Sequence, residues 1–132
     1  MEILSFPEPK DTRYVTEEAF KNNSSKQVEA VSTVLGVLRK HSLSDINLRS
    51  LEFFFYTNNI EKAKLLAVEL QKKEYSATYR KSGSDNKSFV ITGWTRKISI
   101  GDSALAAWAK EMCELGYKYD CEFDGWGTDI DQ

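Results

Sequence analysis

Residues 51–57 read LEFFFYT. Aromatic and β-branched side chains favour a pleated sheet, and this stretch is apolar on both alternating faces. Such a strand belongs in the middle of a sheet, covered on at least one face and greasy on the other. Whatever the chain folds into must therefore build outward from this segment.

The flanking patterns supply the neighbours. After Asn58 or Asn59 as a cap, Ala63, Leu66, Ala67 and Leu70 recur at helical spacing, with Glu61, Lys62, Lys64, Glu69 and Lys72 on the wet side. EYSATYR at 74–80 then alternates Tyr75, Ala77 and Tyr79 against Ser76 and Thr78, and a polar loop KSGSDNK leads into SFVITGW at 88–94, a strand pair. After Gly101, Asp102 or Ser103 caps a further helix with Leu105, Trp108, Ala109 and Met112 as its buried stripe. Gly116 is the expected left-handed residue that ends it. YKYDCEF at 117–123 is the expected last strand, with Asp120, Glu122 and Asp124 sharing one face.

The order from residue 51 is strand, helix, strand, strand, helix, strand. That is the pattern of a ferredoxin-like α+β sandwich: a four-stranded antiparallel sheet with two helices on one face. Before it, Ser24 and Gln27 have the form of a capping box, and Val28, Val31, Leu35 and Leu38 predict an amphipathic helix over 24–41, closed by Lys40 and His41. Gly36 inside that helix suggests a close packing neighbour. Residues 1–23 read as an arm laid over a single domain spanning 24–132. The second face of the sheet needs a cover, and the helix at 24–41 and a partner protein are the two candidates.

A chain of 132 residues can bury roughly two thirds of its unfolded surface as one domain. Its net charge of −2 disfavours a general nucleic-acid binder. Cys113 and Cys121 form no CxxC, and with one histidine, His41, they assemble neither a zinc framework nor a redox pair, so both are expected to be reduced, packed thiols. MEILSFPEPKD has neither the basic start of a signal peptide nor a membrane-spanning run, which gives a cytoplasmic expectation.

Catalytic parts are scarce. Carboxylates on alternate strand positions stand about 6.5–7 Å apart, wide for one divalent cation, and neither an EF-hand loop nor a P-loop, GxGxxG or HExxH is present. His41 has no obvious orienting acid and lies far in sequence from either thiol. Neither a metal nor a cofactor is expected, and no enzyme. Charge, however, is uneven: Lys72, Lys73, Arg80, Lys81, Lys87, Arg96 and Lys97 gather around the central hairpin. Glu111, Glu114, Asp120, Glu122, Asp124, Asp129 and Asp131 dominate the C-terminal part. Two binding readings stay open: an acidic docking surface for a protein, and an RNA-binding module using Arg80, Lys81, Lys87, Arg96 and Lys97 with the sheet aromatics.

LEFFFYTNN with EKAKLLAVEL, then FVITGWT, then LAAWAKEMCELGYKYDCEFDGWGT, resemble the regulator of ribonuclease activity B family of ribonuclease E inhibitors over about residues 50–128. The resemblance implies a ferredoxin-like domain without catalytic activity that binds the non-catalytic scaffold of ribonuclease E. By matching position, Asp124, Gly125, Trp126, Gly127 and Thr128 are its motif residues, and Asp120 and Glu122 precede them on the acidic strand. The two glycines are expected to turn the chain sharply and Trp126 to fold back as a plug. Glu74 stands where many relatives have glycine. The characterised regulators continue into a long acidic tail that the sequence to Gln132 does not carry, so the partner is left open.

Overall fold

The computed structural model describes residues 13–40, 48–83 and 88–128, the side chains of Leu38, Arg39 and Asp102 aside. His41, Asp85, Lys87, Asp129 and Asp131 lie outside the described residues. The architecture is α+β, with three helices, a four-stranded antiparallel sheet and a two-stranded one among those residues.

Helix α1 (Glu17–Lys40) begins at Glu17 rather than Ser24, because Thr16 provides the cap: its Oγ1 accepts the Ala19 amide, and Glu17 and Glu18 complement the dipole of the first turn. Strand β1 (Leu48–Arg49) is followed by β2 (Leu51–Thr57), then α2 (Ile60–Lys72). Asn59 caps α2 by accepting the amides of Glu61 and Lys62, and Ala63, Leu66, Ala67 and Leu70 are its buried stripe. Strand β3 (Thr78–Lys81) is shorter than its sequence pattern, since Tyr75 and Ala77 are buried ahead of it in irregular backbone. Then come β4 (Phe89–Trp94), β5 (Ile98–Ser99), α3 (Asp102–Lys118) and β6 (Glu122–Thr128). Gly101, not Asp102 or Ser103, is the N-cap of α3.

The four-stranded sheet runs in the order β3-β4-β2-β6, and β1 with β5 forms the short second sheet. Strand β2 is central, as its composition requires. Leu51, Phe53, Phe55 and Thr57 point into the helix layer and are at most 1% exposed, while Glu52, Phe54 and Tyr56 between them are half-buried on the opposite face. The helix-side core is ring on ring. Phe55 lies 5.1 Å from Phe123, and Trp108 meets Phe123 at 5.9 Å and Trp126 at 5.8 Å, edge to face.

Helix α1 does not cover the opposite face. It packs beside α3, where Phe20 stacks on Tyr117 at 4.4 Å, and it reaches the outer edge of β6. There Asn23 Nδ2 donates to the Phe123 carbonyl and Gln27 Nε2 to the Asp124 carbonyl. Gln27 is thus a buried edge clamp rather than half of a capping box. Gly36 has open space where a Cβ would go, so no close neighbour explains it.

Candidate functional site

The FDGWGT run is strand, not turn. Strand β6 pairs antiparallel with β2, placing Phe123 opposite Phe55, Gly125 opposite Phe54, Trp126 opposite Phe53 and Gly127 opposite Glu52. The register shifts between Phe54 and Phe55, leaving Asp124 as the extra residue of a β-bulge. Without the bulge, Phe123 and Trp126 would lie on opposite faces, being an odd number of residues apart. With it, both enter the helix layer. Trp126 is therefore a plug, but it is aimed by the bulge and not by a glycine turn. Gly83 is the one glycine at positive φ among the described residues.

The three carboxylates do not share a strand face. Asp120 precedes β6, takes the left-handed conformation (φ 60°) expected at Gly116, and is 8% exposed. Its carboxylate accepts the amides of Tyr14 and Val15, both at 2.8 Å, bonds the Lys62 ammonium and lies 3.5 Å from the Arg13 guanidinium. Its carbonyl accepts from Thr57 Oγ1. Burial opposes the charge, but the Lys62 hydrogen bond and the two amides outweigh it and hold the carboxyl below its ordinary value. Asp120 ties the segment before α1 to α2 and to the end of β2. Lys62, read as wet from periodicity, is half-buried for the same reason. Arg13 completes the joint by lying 4.3 Å over the Tyr117 ring.

The remaining candidates divide between the faces. Glu122 pairs with Tyr56 and so belongs to the face away from the helices, together with Gly125 and Gly127. Asp124 is exposed at the bulge. Thr128 Oγ1 donates to the Ser50 carbonyl and fastens the end of the strand. From β4, Val90, Thr92 and Trp94 join the same face by pairing with Tyr56, Phe54 and Glu52. Periodicity does not single out Glu52 and Phe54 as surface neighbours of the glycines, because the pairing that brings them together is non-local.

Among the described residues, the basic candidates fall into two groups. Arg80 and Lys81 pair with Val90 and Phe89 at the start of β4, whereas Arg96 and Lys97 follow its end. The strand rise separates these groups by on the order of 20 Å. Lys72 and Lys73 are engaged by Glu69 and Glu111.

Both thiols are free and buried. Desolvation pushes Cys113 up to about 11 and Cys121 up to about 12, which disfavours the thiolate at both. Among the described residues no group of three His, Cys, Asp or Glu side chains could hold a metal ion. No described helix is long and apolar enough to cross a membrane. Between α1 and α3, Ser24, Ser25, Val28, Glu29 and Lys110 line an open cleft of about 380 Å³.

The family model described as "Regulator of ribonuclease activity B" matches residues 29–128, from the middle of α1 to the end of β6. The chain belongs to the regulator of ribonuclease activity B family. The match takes in the central strand, the bulged last strand and the glycine pair, so these three belong to the family's own domain. The Arg13 side of the Asp120 joint lies outside the matched residues. Comparison with curated proteins found no match.

Proposed function

We propose that the protein is a non-enzymatic regulator that acts by binding another protein, with ribonuclease E as the partner class. Family membership over residues 29–128 is the observation that carries this reading. The geometry supports it. Asp120 is tied to Lys62 and to the segment before α1, while Glu122, Asp124, Gly125 and Gly127 stand on or beside a sheet face that no described helix packs against. Asp120 contributes by supporting the start of β6, and Trp126 and Thr128 by fixing its register.

The strand order β3-β4-β2-β6, with α2 after β2 and α3 after β4, supports reading the domain as a ferredoxin-like sandwich extended by α1. The division of Arg80 and Lys81 from Arg96 and Lys97 gives the RNA-binding reading no comparable support.

The test is a cleavage assay with purified ribonuclease E and an RNA substrate. Added protein should slow cleavage and co-migrate with the enzyme on gel filtration. An unchanged rate together with separate elution would overturn the reading.

A further inference from the structure

Glycine has distinct reasons to occur in this sheet. A Cβ on Gly93 would sit 2.0 Å from the Ser76 carbonyl oxygen, so backbone packing demands glycine there. Among the described residues a Cβ on Gly125 or Gly127 would meet nothing within 4 Å, and neither residue has a positive φ. Glycine weakens a strand interior and often marks a place where another backbone approaches closely. Neither conformation nor internal packing requires glycine at these two positions.

Cross-strand pairing places the surroundings. Three rows cross the face away from the helices over β2 and β6: Tyr56 beside Glu122, Phe54 beside Gly125, and Glu52 beside Gly127, with Val90 of β4 buried at the end of the first. The two carboxylates therefore bracket the Phe54–Gly125 row from either side. Rows on one face recur about every 6.5–7 Å, so the bracketing rows lie about 13 Å apart. Among the described residues Glu52 and Glu122 have no ion-pair partner. Arg80, in the Tyr56–Glu122 row, is three strands away, about 14 Å.

We propose that Gly125 and Gly127 form a shelf for an extended basic segment of a partner protein, held by Phe54 between Glu52 and Glu122. In an extended chain the side chains at i, i+2 and i+4 share one face and span about 13 Å. The segment that fits has arginine or lysine at i and i+4 and an apolar residue at i+2. The cations meet Glu52 and Glu122, the apolar residue lies on Phe54, and the backbone comes close where Gly125 and Gly127 lack side chains. The carboxylates on this face oppose a phosphate backbone, which is why a protein segment is the occupant. This inference rests on the protein-binding reading and names the surface and the partner's pattern.

The test uses a fluorescent twelve-residue peptide carrying Arg-Ser-Leu-Ser-Arg, a second with the arginines three apart, a third with glutamate for arginine, and single-stranded oligouridine. Binding is followed by anisotropy at low and moderate salt, for the full chain and for Gly125→Val/Gly127→Val. The first peptide is expected to bind best, and the double variant to lose at least tenfold in affinity while melting no lower than the parent. Glu52→Gln/Glu122→Gln should weaken binding and flatten its salt dependence, whereas Glu114→Gln, at an exposed position of α3, should do neither. Equal binding by the double variant, a preference for the glutamate peptide or oligouridine, or no binding to any probe would each overturn the shelf. The ribonuclease E assay decides the underlying reading independently: a double variant that still slows cleavage like the parent removes the shelf alone, while a parent without effect removes both.

Discussion

The two faces of the four-stranded sheet use the same residue types to opposite ends. Toward the helices, Phe53, Phe55 and Phe123 are at most 1% exposed and locked ring on ring. Gly116 is held there by the Cys121 carbonyl, 2.6 Å from where its Cβ would be, and by the Phe55 ring. On the other face Val90 is 3% exposed, Phe54 and Tyr56 stay half-buried and Trp94 is 38% exposed, while among the described residues nothing lies within 4 Å of where a Cβ on Gly125 or Gly127 would be. Folding explains every residue on the first face and leaves the glycines of the second unexplained. A residue the fold does not need is where function is to be sought.

The largest expected effect tests whether Asp120 belongs to the structural side of that division. Asp120→Ala should cost about 3 kcal/mol, because Lys62 and the Tyr14 and Val15 amides lose a carboxylate whose side chain is only 11% exposed. Urea denaturation measures it, and a loss below about 1 kcal/mol would place Asp120 among dispensable surface acids. The acid branch sharpens the point. A carboxyl whose folded value is lowered stabilises fully above its ordinary value near 3.8, and that contribution is lost as pH falls through the folded value. Asp120→Asn, which suits the positive φ, should therefore flatten the acid side of the stability profile while leaving a folded protein.

Glycine substitutions compare the faces directly. Gly116→Ala should destabilise by roughly 1–3 kcal/mol through overpacking, although alanine in an open helix gains about 1 kcal/mol. Glu74→Gly should stabilise by roughly 1 kcal/mol, because Glu74 follows α2 at φ 68°, where a Cβ is penalised. In thermal melts that is a rise of about 3–6 °C. Smallest is Gly125→Ala, expected within about 0.5 kcal/mol of the parent or above it, since nothing opposes the added methyl. A large loss at Gly125 would erase the contrast with Gly116.

The sequence makes one side of this contrast far more legible than the other. The central position of LEFFFYT and the buried stripe of α2 follow from local periodicity, and both stand in the structure. The start of α1 does not, because residues 17–23 carry little apolar repeat and Phe20 is held by Tyr117, a contact distant in sequence. The last strand reads out of phase for a similar reason. Helix α3 runs on to Lys118, and the bulge at Asp124, set by pairing with β2, exchanges the faces that simple alternation assigns. Gly116 shows how a correct residue can carry the wrong reason: it lies within α3 for close packing, and Asp120 takes the left-handed turn. The family motif is visible as FDGWGT, but that its glycines and its tryptophan face opposite ways is a tertiary fact.

Chemical-shift mapping of the ¹⁵N-labelled protein titrated with the Arg-Ser-Leu-Ser-Arg peptide tests the division of labour most directly. Perturbations should concentrate on Glu52, Phe54, Tyr56, Glu122, Gly125 and Gly127, with α2 and α3 quiet. Shifts centred instead on the α1–α3 cleft around Ser25 and Lys110, with β6 unmoved, would contradict it.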